Sequence, residues 1–324
     1  MTVSVLIPMF KVAPFIERCA RSIFSQDYAS LDIVFVDDCS PDNSADIVRK
    51  VLSEFPDRAD EVRIIRHQHN QGLAAARNTA VAAARGEYLF HVDGDDSIAP
   101  RTIRILVDKA KETNADIVFA GYAEERATGI TEKRFPEIPS DLDDAISGAV
   151  LQHGFPWNIW NCLIRREIYT DNDITVPAGI NNGEDYVTMP RLLYFANKLA
   201  RVDDITYYYN QLNPAAYTAN IGLRSNLLQR IAGNRFLHNF FLQKKAWEHC
   251  RETDRMMLSI KAICLLWAKS LDDIAAERRD SNILHYRYLL TRKPAYIAIL
   301  LLYLLHADRT IFSIAKRFQS KFRK

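Results

Sequence analysis

Most features that would classify a 324-residue chain at a glance are missing from this one. It has no CxxC pair. Its five cysteines, Cys19, Cys39, Cys162, Cys250 and Cys264, stand singly and are odd in number. That excludes a disulfide framework and a zinc-ribbon spacing and predicts a reducing, cytoplasmic setting. Long apolar runs are absent too: the longest uncharged one, Ala295 to Leu305, has 11 residues, against the ~20 that a spanning helix needs. No basic segment and apolar stretch precede the first strand-like run, Val3-Ser4-Val5-Leu6-Ile7, so no secretory signal is expected. Glycine is sparse, at 11 residues, and no internal repeat recurs, which excludes collagen-like and low-complexity chains. Neither a Walker loop nor a GxGxxG is present, which argues against an NTPase or a dinucleotide enzyme.

Net charge is also nearly missing, at +2, but this is a cancellation. Residues 222–324 hold 20 of the 42 Lys and Arg and only 8 of the 40 Asp and Glu, leaving 22 against 32 in residues 1–221. The two parts have different tasks. What remains is ordinary for a globular chain, 48% hydrophobic and 25% charged, long enough for two or three domains.

Over the first ~120 residues, apolar runs of strand length alternate with helix-period segments, the pattern of βαβ units and a mainly parallel α/β sheet flanked by helices. Strands are predicted at 3–8, 31–37, 62–66, 87–92 and 116–122, and helices at 13–25, 43–55, 72–84 and 99–114. Residues 124–150, irregular and acidic with Gly129, Pro136 and Pro139, read as a mobile connection. Residues 155–210 complete the sheet, and helical periodicity dominates from 222 onward. Ligands of such sheets gather beyond the carboxyl ends of the strands, which points to the loops after the first, second and fourth.

Carboxylates concentrate in those loops. The second predicted strand ends in Asp37-Asp38-Cys39-Ser40-Pro41-Asp42, where a carboxylate can accept hydrogen bonds from a base or ribose, or simply cap the next helix. The fourth ends in Asp93-Gly94-Asp95-Asp96. Three carboxylates so close repel one another unless a cation neutralises them, and oxygen ligands suit Mg²⁺ or Mn²⁺. The bland alternative is a solvated acidic turn. Between them, Gly72 opens the small-residue helix Leu73-Ala74-Ala75-Ala76-Arg77, whose arginine can meet a phosphate or an acidic turn. His67, His69 and His91 show no convincing ligand partner.

Ile7-Pro8-Met9-Phe10, Val36-Asp37-Asp38-Cys39-Ser40-Pro41-Asp42-Asn43-Ser44, Asn70-x-Gly72 through Ala76-Arg77-Asn78, and Asp93-Gly94-Asp95-Asp96 occur in one order. That order resembles the GT-A domain of family 2 inverting glycosyltransferases over roughly residues 1–210. The resemblance implies a GT-A, Rossmann-like domain over 1–221, with a donor half at about 1–122 and an acceptor half at about 145–221, followed by a basic helical region at 222–324. It implies a nucleotide-sugar donor, with UDP as the carrier expected from the family rather than from any base-reading residue. Pro8, Phe10 and Asp38 would line the nucleoside pocket, Asp38 meeting the base. Phe10 stands where the family often has Tyr, so stacking survives without a hydroxyl contact. Gly72 and Arg77 would lie with the donor, Asp93 would approach the ribose or metal, and Asp95 would bind the metal that bridges the diphosphate.

Further on, Asn181-Asn182-Gly183-Glu184-Asp185-Tyr186 resembles the family's acceptor-side Glu-Asp motif. An inverting transfer needs one carboxylate to take the acceptor hydroxyl's proton. The resemblance makes that base Asp185, with Glu184 orienting the acceptor. Trp157 and Trp160 serve equally as sugar platforms or core rings, and Tyr207-Tyr208-Tyr209 reads as packing at a domain edge.

At the end, Ile311, Ile314, Ala315, Phe318 and Phe322 recur at helical spacing among Lys316, Arg317, Lys321, Arg323 and Lys324. A basic amphipathic helix can lie in an anionic membrane interface. That reading ranks ahead of a solvated appendage and of an oligomer contact, and it makes the protein peripheral at the cytoplasmic membrane face. No nucleic-acid motif accompanies the basic residues. The expected activity is sugar transfer from a nucleoside diphosphate to a hydroxyl of a glycan or lipid-linked glycan, in cell-surface polysaccharide assembly. The rivals are a non-catalytic nucleotide-sugar or glycan-binding module and a sugar-phosphate nucleotidyltransferase. The second lacks the Gly-rich basic activation loop that it would need.

Overall fold

The structure is a computed structural model that describes residues 1–214, 216, 224–270, 272–273 and 294–320. The chain forms two compact units, one of residues 1–149 with 154–219 and one of 150–153 with 220–324.

In the first unit the strands are β1 (Val3–Met9), β2 (Leu31–Asp37), β3 (Val62–Arg66), β4 (Tyr88–His91), β5 (Ser97–Ile98), β6 (Ile117–Arg126), β7 (Gly129–Lys133), β8 (Cys162–Arg165) and β9 (Leu199–Asn210). The helices are α1 (Ile16–Phe24), α2 (Ser44–Leu52), α3 (Leu73–Ala83), α4 (Thr102–Thr113), α5 (Leu142–Val150), α6 (Arg166–Asp171) and α7 (Glu184–Phe195). All nine strands join one sheet, ordered β3-β2-β1-β4-β8-β6-β9-β5, with β7 paired to β6. β1 runs parallel to β2 and β4, and β2 to β3. β8 then enters antiparallel to both β4 and β6.

Every residue of β1 and β2 is buried, which is why both read as mostly apolar runs, and their polar Ser4 and Asp32 are satisfied by each other, the serine hydroxyl donating to the carboxylate at 2.6 Å. α1 contributes Ile16, Cys19, Ala20 and Ile23, spaced i, i+3, i+4 and i+7, and all four are buried. α4 stops at Asn114, whose left-handed backbone (φ 53°) ends the helix. Pro8 sits inside a central strand without penalty. Leu6 already accepts from the Val92 N–H on the β4 side. Pro8, two residues on, faces the same way past the end of the β4 pairing, so no ladder bond needs its missing N–H. β1, β2 and β4 therefore end side by side, and Asp38 and Asp93 leave the same sheet edge.

Two expectations need correction here. Residues 124–150 are not an irregular connection. β6 extends to Arg126, a two-residue turn at Ala127 and Thr128 leads into β7, and α5 follows. All five residues of β7 are exposed, so no alternation of apolar and polar residues marks it as a strand. Tyr207 does not lie at an edge: it is completely buried in the main core beside Phe90 and Leu163.

The second unit contains α8 (Arg224–Gln243), α9 (Trp247–Leu266), α10 (Pro294–Leu304) and α11 (Asp308–Ser320) among its described residues. Its core joins Leu258, Ala262 and Leu265 of α9 with Ile299, Leu300 and Tyr303 of α10 and Ile311 of α11. This corrects the reading of the terminal amphipathic stripe. Ile311 and Ala315 are completely buried, and Phe312 and Phe318 pack on the same core, so α11 spends most of its apolar face inside the protein and leaves Ile314 exposed. Lys321, Phe322, Arg323 and Lys324 lie outside the described residues. Exposed leucines in this unit include Leu228 and Leu242 of α8 and Leu301, Leu304 and Leu305 in and just after α10. Among the described residues, no helix is long and apolar enough to cross a membrane.

Candidate active site

The loop after β1 carries Phe10, one of the few exposed aromatic rings, at the sheet edge. Lys11 follows in a left-handed conformation (φ 57°), and its N–H donates to Ser40 Oγ at 2.7 Å. That bond ties the loops after β1 and β2 together. In the second loop, Asp37 accepts the Ser40 N–H and Asp42 accepts the Ser44 N–H and hydroxyl at the start of α2.

Asp38 is committed elsewhere than a ligand. Its Oδ1 accepts from His67 Nδ1 (2.7 Å) and the Gln71 N–H (2.8 Å), and its Oδ2 from Asn70 Nδ2 (2.9 Å) and the Gly72 N–H (2.7 Å). Four donors satisfy a carboxylate's acceptor capacity. Asp38 thus fastens the 67–72 segment and has no oxygen left over for a base in this geometry. His67, in the loop after β3, turns its other side to Thr79 Oγ1 at 2.9 Å and is a buried part of that clamp.

Gly72 likewise faces protein. Its backbone (φ 89°) is one that only glycine adopts readily. A Cβ there would fall 2.6 Å from Asn181 Cγ. Asn181 uses that space to accept the Ala74 N–H at 3.0 Å, satisfying a donor in the first turn of α3. Asn78 adds a two-way bond with the Val176 backbone. The segment before α7 is therefore docked on α3, and this docking brings the Glu-Asp pair to the sheet edge.

There Arg77 is almost completely buried among three carboxylates. Its Nη2 lies 2.9 Å from Asp93 Oδ1, 3.3 Å from Glu184 Oε1 and 3.7 Å from Asp185 Oδ1. Of the sequence alternatives, the arginine meets the acidic turn. Its Nη1 and Asp185 Oδ1 are both buried without a hydrogen-bond partner. Asp185 accepts the Ile159 N–H, which links the 157–160 segment to it. Burial pushes the Asp185 carboxyl well above the usual carboxylate range; Glu184 adds to the rise and Arg77 opposes it. Burial also raises Glu184, again against Arg77.

In the acidic turn the three aspartates separate. Asp96 points inward, accepting the Tyr207 hydroxyl at 2.6 Å and the Asn210 N–H at 2.7 Å. Asp93 is partly exposed and paired with Arg77. Asp95 accepts from Asn213 Nδ2 at 2.7 Å, and burial together with Asp93 pushes its carboxyl up to about 6. Gly94 lets the turn approach β1, since a Cβ would lie 3.0 Å from the Pro8 carbonyl oxygen. Among the described residues, no group of three or more His, Cys, Asp or Glu is placed to hold a metal ion by itself. The donor set still fits a hard cation that arrives with substrate oxygens. Asp95 carries a charge that its surroundings disfavour, beside a second carboxylate, and Mg²⁺-type sites need only one or two such groups plus phosphates.

Trp160 is a packing ring. It stacks on Tyr207 (4.8 Å) and Tyr209 (5.1 Å) and meets Tyr122 edge-on (5.0 Å). Trp157 is half-buried. Tyr207, Asn210, Asn213 and Asn181 are site residues that sequence reasoning missed: each is over 80 positions from its carboxylate or helix partner, and no motif spacing announces such pairings.

Residues 4–168 match Glycosyl transferase family 2. The chain is 31% identical over 226 residues to the uncharacterized glycosyltransferase EpsJ of Bacillus subtilis (strain 168), spanning 67% of this chain and 62% of that one. It thus matches less than two thirds of that relative's own length. Two solved structures share the fold at lower identity. S. aureus TarS 1-349 in complex with UDP-GlcNAc aligns with a TM-score of 0.58 at 19% identity, covering 100% of this chain and 92% of that one. The mannosyltransferase PcManGT from Pyrobaculum calidifontis, in complex with GDP-Man and Mn²⁺, aligns at 0.52 and 18%, covering 98% and 84%. A parallel sheet edge lined with carboxylates, held by a buried arginine, accompanies a family match over half the chain, and the chain belongs to Glycosyl transferase family 2.

Proposed function

We propose that the enzyme transfers a sugar, with inversion, from a nucleoside diphosphate (UDP in the first instance) to a glycan hydroxyl, with Mn²⁺ or Mg²⁺ as cofactor. The carrying observation is the meeting at one sheet edge of the Asp93–Asp95 turn with the buried Arg77–Glu184–Asp185 cluster. The ligands in the two related folds, UDP-GlcNAc in one and GDP-Man with Mn²⁺ in the other, support the donor and cation classes.

On this reading the exposed ring of Phe10 and the neighbouring Pro8 flank the nucleoside, with the Asp38 clamp as the floor. Asp93 faces the donor and Asp95 would hold the cation. When bound, the cation neutralises the charge that develops on the departing diphosphate. Asp185 takes the proton of the acceptor hydroxyl while that oxygen bonds to the anomeric carbon and the bond from this carbon to the diphosphate oxygen breaks. No second carboxyl is then required as an acid, unlike glycoside hydrolysis. A binding module without chemistry would not need a buried carboxylate oxygen that no protein donor satisfies, as at Asp185 Oδ1. A screen of nucleotide sugars for nucleotide release with and without Mn²⁺ tests the proposal. Release from at least one donor, dependent on metal, is expected; metal-independent turnover would remove the cofactor, and no turnover with any donor and acceptor would remove the activity.

The basic second unit is proposed as membrane-facing, supported by 20 Lys and Arg against 8 acids over 222–324 and by the exposed Leu301, Leu304 and Leu305. Sedimentation with anionic liposomes should be reduced several-fold by Leu304→Glu with Leu305→Glu. Binding unchanged by that pair, or equal with neutral liposomes, would sink the assignment.

A further inference from the structure

Arg77 stands between two carboxylates that the transfer uses on opposite sides. Asp93 belongs to the turn that faces the donor, and Asp185 to the helix that faces the acceptor. One guanidinium nitrogen serves both, but unequally: 2.9 Å to Asp93 and 3.7 Å to Asp185. The second is too long for a hydrogen bond. The other terminal nitrogen of Arg77 and the facing oxygen of Asp185 are each buried and each lack a hydrogen-bond partner. Such orphans are costly and rare in a settled interior. Two of them, on groups of opposite charge in one cluster, mark an arrangement able to tighten.

We infer that Arg77 is a positioning residue that couples donor occupancy, through Asp93, to the readiness of Asp185 as the base. This rests on the assignment of Asp185 as the base. Of the three carboxylates on Arg77, Asp93 is the most exposed, at 26%, against 10% for Glu184 and Asp185. A donor that engages Asp93 draws its oxygen away from Arg77. The freed guanidinium then closes on Asp185, satisfying both orphans. Asp185 gives up its proton to solvent, and its carboxylate becomes available for the acceptor hydroxyl.

The surroundings of Asp185 leave Arg77 as the group that can do this. Its own helix presents Glu184, the turn after β4 presents Asp93, α6 presents Tyr169 and β8 presents Cys162. The two carboxylates disfavour a second charge, and burial keeps the phenol and the thiol protonated. His91, nearby in β4, is held neutral by burial and by Arg77 itself. Lysine at position 77 would keep the positive charge but lose the fork that spans two carboxylates.

Proton-linked calorimetry tests the coupling without turnover. UDP (or GDP, if the donor screen selects it) is titrated with Mn²⁺ into the whole protein in two buffers of different ionisation enthalpy, which counts protons released. Wild type should release a fraction of a proton that Asp185→Asn does not. Arg77→Lys should bind the nucleotide yet lose that same fraction. In turnover, Arg77→Lys should shift the acidic limb of the pH–rate profile upward by about one pH unit or more, with rate recovering at high pH. A structural lesion would instead lower the rate equally at every pH. Proton release in Arg77→Lys equal to wild type, or a uniform loss of rate, would overturn the coupling. So would the absence of any Asp185-dependent release in wild type, a measurement that stands even if the arginine variant does not fold. Retained turnover in Asp185→Asn would instead defeat the base assignment itself.

Discussion

Replacing Asp185 with asparagine should lower kcat by between about 10²- and 10⁴-fold, the range that a positioned general base contributes, while nucleotide affinity stays within about twofold. The amide is isosteric and still accepts the Ile159 N–H, so the 157–160 segment keeps its tie to α7. What it cannot do is take a proton. Glu184 is the competing candidate, and the geometry ranks it second. Its Oε1 faces Arg77 Nε and Nη2, and its Oε2 accepts the Gly183 N–H at 3.2 Å. Asp185 Oδ1, by contrast, is uncommitted. Glu184→Gln is therefore expected to cost less than Asp185→Asn at about pH 8, where both carboxyls are most fully ionised. If the order were reversed in single-turnover rates, the base would be Glu184. The pH dependence follows from the direction in which the carboxyl is displaced. Burial and Glu184 raise the proton affinity of Asp185, so the base is lost as pH falls through a value above the ordinary aspartate range. Activity should rise from mildly acidic to neutral pH rather than being flat there.

Strand positions were legible where burial, complete in β1 and β2 and partial in β3, kept apolar residues recurring along the run. β2 and β3 occupy the predicted 31–37 and 62–66, and β1 runs one residue further than predicted. The hairpin of β6 and β7 was not, because β7 buries nothing and leaves no hydrophobic period to read. At the site, the acidic motifs announce their chemistry but not their division of labour. Asp38 and Asp95 look alike in sequence, each beside another aspartate after a strand. One is saturated by four donors from 67–72, and the other is left in an unfavourable environment. That difference depends on partners tens of residues away. Arg77 shows the same limit: a helix of alanines suggests close packing, but nothing local says that its arginine will meet residues more than 100 positions on. The terminal helix errs in the opposite direction. Its amphipathic period was real, but a period cannot tell whether the apolar face meets lipid or the side chains of α9 and α10.

Asp95→Asn should make the metal-free protein more stable while removing its response to metal. In the fold the Asp95 carboxyl is pushed up to about 6 from an ordinary 3.8, by burial first and by Asp93 second. The folded state therefore holds the Asp95 proton more tightly than the unfolded chain does. The stability this provides is complete below about pH 4 and is lost as pH rises toward and through 6, so at about pH 7.5 the ionised group is a net liability. A rise of that size corresponds to roughly 3 kcal/mol, and partial exposure of the side chain reduces this to about 1–2 kcal/mol. Asparagine removes the charge and keeps a carbonyl oxygen for Asn213, which now donates to Asp95 at 2.7 Å. An increase in Tm of several degrees at about pH 7.5 is expected, shrinking toward zero near pH 4. Mn²⁺ should reverse the ranking. Binding to the native state stabilises wild type by mass action, whereas the variant should melt at the same temperature with and without the ion and should turn over at least about 10²-fold more slowly. A variant that is less stable without metal at neutral pH would show that Asp95 is a structural acceptor. A variant that is still stabilised by Mn²⁺ would move the cation to other ligands. Each measurement separates the liability of an uncompensated carboxylate from its use, and the site would be one in which the native sequence gives up stability to hold a charge ready for a cation.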